Sequence, residues 1–531
     1  MPVIVNQISS PIGAAEKDII EAARKKLGIF ADKIQSAHLY KTSLDARKRD
    51  NIHYVHSVSF TLSDKSLEEK LSKKDPQLTY AAEAVFEPVI SSEKRSGRVV
   101  IAGFGPAGMF CALALAEQGY RPIVLERGES VEKRVDSVEM FMKLGILNEK
   151  SNIQFGEGGA GTFSDGKLTT RIKDPLCRYV LERMAEFGAP EEILTNAKPH
   201  IGTDKLRNVV KNIRERVIAL GGEIRFCTEL EDISLEDCIA KSVSFTGGTA
   251  EVSAVVLAIG HSARDTFEML HRKGVFLEAK PFSVGARIEH RQEAVDFSLY
   301  GEHAGEPMLP KGEYQLSHRT KDGRAAYTFC MCPGGFVVPA ASEDGGIVTN
   351  GMSEFARDGK NANSALVVSV TPEDFGNKPL DGMYFAREIE QRAYKLSGSY
   401  KACGVSVGNF LQGRTGIDTN IEPTYSLGIN AVDYDKLFPK QVTDMMRAGL
   451  TVFARRMKCF GDGKALLSAP ETRTSSPVRI TRDKDTLTSL SCHNLYPCGE
   501  GAGYAGGIMS AAVDGLNVAL KIMSAMAPPE K

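Results

Sequence analysis

The stretch that decides the fold is Val99-Val-Ile-Ala-Gly-Phe-Gly-Pro-Ala-Gly108. Its apolar half predicts a strand, and the segment after it, Met109–Gln118, predicts a helix. Between them lies the pattern Gly103-x-Gly105-x-x-Gly108. The first glycine permits a tight turn, the second lets the backbone approach a pyrophosphate, and the third lets the helix pack closely on the strand. The pattern therefore predicts the first unit of a dinucleotide-binding fold.

A second apolar run, Pro122–Glu126, follows the helix and ends in an acid. Glu126 lies 23 residues beyond Gly103, near the spacing expected for a carboxylate that binds the adenosine ribose. Pro106 and Ala107 open the helix, whose N-terminal N–H groups would face the phosphates. This first unit alone does not distinguish NAD from FAD.

The composition of the whole chain restricts its class. The 531 residues are enough for two to four domains, and 42% of them are hydrophobic. The net charge of −1 gives no global field that would recruit nucleic acid or an anionic membrane. The start of the chain lacks the pattern of a signal peptide, and no apolar run reaches the length of a bilayer span. The ten cysteines lack the spacing of a disulfide framework. We therefore expect a soluble cytoplasmic protein with no membrane partner and no nucleic acid partner.

Residues 1–95 predict a small α+β domain, for which a ferredoxin-like arrangement is one option. Strands are expected at Val3–Ile8, Ala37–Lys41 and His53–Leu62, and helices at Ala14–Leu27 and Ser66–Ser72. The basic run Arg47-Lys-Arg49 lies between two of the strands and is interpreted as a solvated loop. A docking patch for an acidic protein partner is the alternative, and RNA binding through this run is a weak third idea.

The middle of the chain alternates helices, strands and glycine-rich loops. Helices are expected in Arg127–Leu144, in Asp204–Leu220 with Asp204 as a cap, and around Tyr384–Leu396. Val252–Ile259 predicts a buried strand, whereas Gly156–Gly166 is too rich in glycine to predict a packed element. The predicted fold class is α/β. It combines a Rossmann-like dinucleotide-binding domain built from residues 96–280 and 466–531 with an inserted, mixed α+β substrate domain over 281–465.

The end of the chain indicates which dinucleotide is bound. After Leu495 a strand is expected to close on Gly499 and Glu500 and to lead into a helix of small residues near Gly507 and Ile508. An extended FAD needs such a second half, because its ribityl chain and flavin ring reach beyond the first unit. Glu500 would accept a hydrogen bond from a ribityl hydroxyl, and the amides at the helix start would face the flavin N1 and C2 carbonyl. The sequence therefore predicts FAD, and it predicts no metal.

Several motifs together resemble those of flavoproteins with two dinucleotide-binding domains. More narrowly, the chain is similar to a bacterial family of uncharacterised FAD-dependent dehydrogenases. Besides the segments above, the resemblance rests on Glu126-Arg127, Gly156-Glu-Gly-Gly-Ala-Gly-Thr-Phe-Ser-Asp-Gly166, Ala258-Ile-Gly-His-Ser-Ala-Arg-Asp265, Phe329-Cys-Met-Cys-Pro-Gly-Gly335 and Gly499-Glu-Gly-Ala-Gly503.

The resemblance implies further cofactor contacts. Arg127 and Arg134 would lie near the adenosine and pyrophosphate, the backbone near Leu230 would frame the adenine, and Gly260 would end a strand beside the pyrophosphate. Gly159 and Ser164 would stand beside the flavin ring. Ile259 occupies the place of the usual Thr, and Glu500 occupies that of the usual Asp.

Candidate catalytic residues are few. Cys330 and Cys332 would share one face of a strand, and we favour buried packing or packing beside the flavin over a redox pair because an i, i+2 disulfide is cramped. His261, with Arg264 and Asp265, follows a strand end and is a candidate proton shuttle or anion clamp, with capping and an internal ion pair as the alternative. Two further residues in polar stretches could reach a substrate: His200 and Arg414.

The leading functional hypothesis is an FAD-dependent oxidoreductase that transfers a hydride through flavin N5 to or from a small-molecule substrate. No second GxGxxG pattern predicts a separate NADPH domain, so NADPH or NADH would reduce the flavin directly in its cleft. One alternative is a flavin thiol–disulfide oxidoreductase that uses Cys330 and Cys332. The other is a non-catalytic escort protein that keeps the FAD fold for binding.

Overall fold

The N-terminal unit is an antiparallel sheet covered by a helix. The computed structural model describes residues 2–64, 71, 78–80 and 86–530. The sheet has the order β2-β3-β1-β4, so β3 separates the two strands that α1 connects, as in a ferredoxin-like split βαβ unit. The predicted helix over 66–72 lies outside the described residues apart from Leu71. The elements are β1 (Val3–Ser10), α1 (Glu16–Leu27), β2 (Ile34–Asp45), β3 (His53–Leu62) and β4 (Leu78–Tyr80).

The N-terminal unit is hydrogen-bonded to the rest of the chain. Thr42 donates its N–H to the Thr195 carbonyl at 2.7 Å, and the Tyr54 hydroxyl donates to the Met308 carbonyl at 2.7 Å. The two arginines of the basic run between β2 and β3 make different contacts. Arg47 is exposed and pairs with Asp45, whereas the Arg49 guanidinium donates to the carbonyl oxygen of Ser298.

A parallel layer follows, in the order β7-β6-β5-β10. Its strands are mostly apolar because both faces are buried, one against helices and the other against a strand hairpin and one helix. β10 starts in an antiparallel hairpin with β9 and ends in the parallel layer, so the β8-β9-β10 meander is continuous with the layer through β10. The elements are β5 (Arg98–Ala102), α2 (Pro106–Glu117), β6 (Ile123–Leu125), α3 (Val131–Leu144), α4 (Leu176–Glu186), α5 (Thr203–Ala219), β7 (Glu223–Arg225), β8 (Leu230–Glu236), β9 (Ile239–Phe245), β10 (Gly248–Leu257), α6 (Arg264–Arg272) and β11 (Leu277–Ala279).

The expected cap of α5 differs in the structure. The helix begins at Thr203, and no side chain caps it. Instead, Oδ1 of Asp204 accepts the N–H of Phe355 at 2.8 Å, because a loop of the inserted region packs over this end of the helix.

The inserted region is a mixed sheet in the order β13-β14-β17-β12-β20-β18-β19. Its last strand along the chain is β20 (Leu466–Glu471), which pairs with β12 and β18. The expected boundary at 465 therefore moves to Glu471. The other elements are β12 (Phe282–Arg291), α7 (Gln292–Tyr300), β13 (Ser317–Arg319), β14 (Ala325–Cys332), β15 (Phe336–Pro339), β16 (Thr349–Met352), β17 (Asn361–Val370), α8 (Pro372–Phe375), α9 (Asp381–Ser397), β18 (Ala402–Ser406), α10 (Val407–Leu411), β19 (Ile429–Ala431), α11 (Tyr434–Leu437) and α12 (Lys440–Arg456).

The end of the chain returns to the parallel layer. β21 (Val478–Ile480) pairs with β11, and β22 (Leu495–Pro497) adds to β10 in parallel. Helix α13 (Ile508–Ala525) then packs on α2, so closely that a Cβ at Gly515 would lie 2.1 Å from the Ala107 carbonyl oxygen. Contrary to the expectation from sequence, α13 is long and apolar enough to cross a bilayer, but 61% of it is buried within the protein. It is a core helix of the protein.

Candidate functional site

A cleft of about 1460 Å³ separates the parallel layer from the inserted sheet. Its volume exceeds the roughly 300–1,000 Å³ of ordinary small-ligand sites, as an extended dinucleotide together with a substrate requires. Its walls are formed by the first segment of the parallel layer, by the C-terminal segment that returns to this layer, and by the inserted sheet. Of the residues expected from sequence, the cleft is lined by Gly103, Gly105, Pro106, Ala107, Glu126, Arg127, Gly159, Ser164, Leu230, Gly260, His261, Cys330, Glu500, Gly507 and Ile508.

The glycine turn has the shape that a pyrophosphate needs. Gly103 has a φ of +97°, and a Cβ there would lie 2.3 Å from the Ala258 carbonyl oxygen. A Cβ at Gly108 would lie 2.0 Å from the Gly103 carbonyl oxygen, so this residue serves packing and does not line the cleft. Gly105 is different, because its Cβ position has nothing closer than the Gly159 Cα at 3.6 Å. The N-terminus of α2 thus opens onto free space beside Gly105, where its N–H groups and dipole favour an anion.

The Glu126 carboxylate is held by the turn that it faces. One oxygen accepts the N–H of Phe104 at 2.8 Å, and the other accepts the N–H groups of Gly128 and Gly156 at 2.9 and 3.1 Å. A carboxylate has about four lone-pair positions, so one remains for a hydroxyl donor in the cleft. This arrangement fits the ribose contact expected for Glu126.

The glycine-rich loop over 156–166 is largely buried, contrary to the expectation that it would not pack. Arg134 causes this, and its predicted place beside the pyrophosphate is wrong. The side chain is fully buried behind the loop, and its guanidinium is used up by backbone acceptors. They are the carbonyl oxygens of Asn152, Ile153, Gly156, Glu157 and Gly159, at 2.7–3.3 Å.

The loop closes one side of the cleft. Gly159 lies directly opposite Gly105. The Ser164 hydroxyl donates to the Gly161 carbonyl at 2.7 Å and accepts the Gly166 N–H at 3.2 Å, which closes the turn. Arg127 lies over the Phe155 ring, 4.4 Å from its centroid. These contacts fix the loop backbone against the nucleotide turn.

The C-terminal half of the cleft carries a buried carboxyl at a helix start. Burial raises the pKa of Glu500 to about 7, and the Lys280 ammonium and the Gly507 N–H oppose this shift. Ile508 begins α13 at the same place, so the first N–H groups of that helix face the cleft. Gly499 does not line the cleft. A Cβ there would lie 2.7 Å from that of Ala107, so its small size serves packing.

His261 and Arg264, which both follow the end of β10, have different surroundings. Burial lowers the pKa of His261 to about 3, helped by Arg473 and Arg264, so the cleft-lining imidazole is neutral. Arg264 is an internal ion-pair partner of Glu390 at 2.9 Å and does not line the cleft. Two other candidates also lie away from the cleft: Nε2 of His200 donates to the Phe355 carbonyl oxygen at 3.1 Å, and Arg414 is exposed.

The two cysteines of β14 are not equivalent. Cys330 lines the cleft, whereas Cys332 is fully buried behind it. The strand is irregular here, since its register with β17 shifts between Phe329 and Cys332, and Cys330 has a φ of +43°. The pKa of Cys330 is lowered to about 6, chiefly by the neighbouring Cys332 thiol and further by Arg287 and Lys167. The pKa of Cys332 is raised well above its usual value.

Sequence reasoning missed two charged groups at the cleft. Lys167 bridges Asp165 at 2.9 Å and Glu313 at 3.2 Å. Glu471 is the last residue of the last inserted strand and Arg473 follows it, and both side chains are buried yet line the cleft. Polar residues directly after an apolar strand were the available signal, because ligands bind at strand ends in α/β folds.

The glycine turn, the Glu126 carboxylate and the second helix start, all on one parallel layer, define a dinucleotide-binding flavoprotein fold. Residues 281–474 match the family described as "FAD-dependent protein, C-terminal domain-like", and residues 1–61 match a domain of unknown function. An uncharacterised protein of Clostridium beijerinckii (strain ATCC 51743 / NCIMB 8052) is 47% identical over 505 residues, which cover 94% of each chain. The chain belongs to this family of FAD-dependent proteins, and FAD is its cofactor.

Two solved structures that are similar to the chain are of amino acid oxidases. Glycine oxidase from Bacillus cereus is 11% identical, with 82% of this chain and 96% of that chain covered and a TM-score of 0.30. NikD, described as an unusual amino acid oxidase, is 16% identical, with 82% and 98% covered and a TM-score of 0.36. At such TM-scores neither similarity bears on the reaction.

Proposed function

We propose that the protein is an FAD-dependent oxidoreductase that transfers a hydride between a small molecule and its flavin. The observation that carries this proposal is the single continuous cleft. It runs from the nucleotide turn at Gly105, past Glu500 at the start of α13, to the inserted sheet at Tyr327 and Cys330. When bound, FAD supplies two-electron chemistry at the flavin N5.

The residues of the cleft would divide the work. The turn at Gly105 and the carboxylate of Glu126 would hold the adenosine end. Glu500 would accept a hydrogen bond from a ribityl hydroxyl. The first N–H groups of α13 would stabilise negative charge that develops on the flavin ring. The inserted sheet would form the opposite wall, exclude water and orient the substrate.

An anaerobic titration of the FAD-loaded protein with NADPH, followed by flavin absorbance, tests the proposal. Bleaching of the flavin, slowed by deuterium at the transferable position of NADPH, supports hydride transfer from a pyridine nucleotide into the cleft. A flavin that NADPH, NADH and a panel of small-molecule reductants all leave oxidised would overturn the proposal. That result would favour an escort protein that keeps the fold for binding.

A further inference from the structure

Cys330, Cys332 and Glu471 form a second chemical site in the cleft. We propose that they carry out thiol–disulfide exchange with a small disulfide, with Cys330 as nucleophile, Cys332 as resolving thiol and Glu471 as proton donor. The exchange goes beyond the proposed function and does not rest on it, because it needs neither a hydride nor the flavin.

The irregular strand brings the two thiols together. Residues i and i+2 of a regular strand are about 6.6 Å apart along the strand, near the upper limit of Cα separation for a disulfide. The register shift and the left-handed backbone at Cys330 make this segment of β14 depart from a regular strand. The Cys332 thiol lies 3.4 Å from the carbonyl oxygen of Cys330.

A buried arginine organises the site from behind. One Nη of Arg287 donates to the Cys330 carbonyl at 2.9 Å and contacts the Cys332 sulfur at 3.5 Å. The other Nη donates to Oε1 of Glu471 at 3.2 Å. The positive charge favours the thiolate of Cys330, and Lys167 on the facing loop adds to it.

Glu471 supplies an unused polar atom at the same place. The residue is 4% exposed and lines the cleft. Its Oε2 has no hydrogen-bond partner among the residues that the structure describes. Burial and the charge of Cys330 together raise the pKa of this carboxyl to about 7, against the lowering effect of Arg287. Glu471 therefore holds a proton more readily than an exposed carboxyl, beside a thiol whose own pKa is lowered.

The exchange balances without an added oxidant or reductant. The Cys330 thiolate attacks one sulfur of the disulfide, the S–S bond breaks, and the departing thiolate takes the proton of Glu471. The Cys332 sulfur then attacks the mixed disulfide at Cys330, and its proton passes through the Glu471 carboxylate to the second departing thiolate. Two electrons move from the protein dithiol to the small molecule, which leaves as two thiols. A small disulfide is the fitting substrate because Cys330 lies inside a cleft.

The first test is a stoichiometric titration of the FAD-loaded protein with the aromatic disulfide DTNB. The exposed cysteines Cys227 and Cys238 are replaced by Ser to remove their background. We expect a fast phase that releases two thionitrobenzoate equivalents in this background, one after Cys332→Ala and none after Cys330→Ser. A fast phase that survives Cys330→Ser, or an unchanged two equivalents after Cys332→Ala, would overturn the proposal.

A second measurement uses the unmutated protein, so that its result does not depend on whether a variant folds. Peptide mapping of the unmutated holoprotein after brief iodoacetamide treatment should find Cys330 labelled ahead of the exposed cysteines. Equal or slower labelling contradicts the proposal.

Glu471→Gln tests the proton donor. It should slow exchange with hydroxyethyl disulfide by about 10²-fold. DTNB, whose leaving thiolate needs no proton, should react at an unchanged rate. Equal effects on both reagents would exclude proton donation by Glu471. NADPH bleaching of the flavin can succeed or fail independently of all these results.

Discussion

Gly105→Ala tests whether the absence of a side chain at this position is required for FAD binding or for folding. The added Cβ would meet only the Gly159 Cα at 3.6 Å, which is an ordinary contact. The backbone at Gly105 has a φ of −78°, which alanine adopts freely. We therefore expect the free energy of unfolding of the FAD-free protein to change by less than about 1 kcal/mol.

The same methyl group should weaken FAD binding strongly. It occupies the free space that the pyrophosphate needs in order to reach the N–H groups at the start of α2. Loss of one or two hydrogen bonds to a charged phosphate costs about 1.5–3 kcal/mol each. We expect the Kd for FAD to rise by about 10²-fold. The assay is reconstitution of the FAD-free protein with FAD, followed by quenching of flavin fluorescence.

Two other glycines provide matched controls. Gly346→Ala adds a Cβ with similar room, 3.5 Å from the Glu343 carbonyl oxygen, and lies away from the cleft. It should change neither quantity. Gly108→Ala places its Cβ 2.0 Å from the Gly103 carbonyl oxygen and should lower stability as well as FAD binding. A Kd for Gly105→Ala within about threefold of the unmutated value, which is below 1 kcal/mol, would refute the reasoning.

Three other predictions concern buried charges. Glu126→Gln replaces a carboxylate that accepts three backbone N–H groups, so urea unfolding should show a loss of about 2 kcal/mol together with weaker FAD binding; unchanged binding would contradict the ribose contact. Arg134→Lys cannot reach the same set of carbonyls, so we expect a loss of about 3 kcal/mol and faster proteolysis within 152–166, whereas the exposed neighbour Lys133→Met should behave as the unmutated protein. Glu471 has a folded-state pKa above its usual 4.5, so its contribution to stability is present below that pH and is lost as pH rises through about 7. Between about pH 5 and pH 8 the unmutated protein should lose on the order of 1–3 kcal/mol relative to Glu471→Gln, and parallel pH profiles would exclude this assignment.

Local patterns were enough to predict the nucleotide turn and the helix that ends the chain. Gly103, Gly108 and Glu126 act within a single strand–turn–helix–strand unit, so their spacing in sequence reflects their spacing in space. The segment α12 (Lys440–Arg456) was missed, although apolar residues recur along it at helical spacing. The segments on either side of α12 lack clear strand patterns, so the order of elements in this part of the inserted region was difficult to predict.

Arg134 and Asp204 show why some roles could not be predicted. Each lies in a correctly predicted helix, but its partners come from segments that are distant in sequence or from a loop without regular structure. Arg134 binds carbonyl groups of the glycine-rich loop, and Asp204 accepts an N–H from Phe355 in the inserted region. A side chain's type does not reveal which backbone groups a fold will leave without partners.

By itself the sequence determined the dinucleotide-binding unit, the FAD cofactor and the return of the chain to the first layer, because these depend on local turns, helix starts and apolar periodicity. Only the tertiary structure decided which charged groups meet in the cleft. Arg287, Cys330 and Glu471 lie on three different strands of the inserted sheet and are brought together by strand pairing and two irregular registers. Burial then shifts the pKa values of Cys330 and Glu471, because a buried charge is stabilised by the few groups beside it and no longer by water.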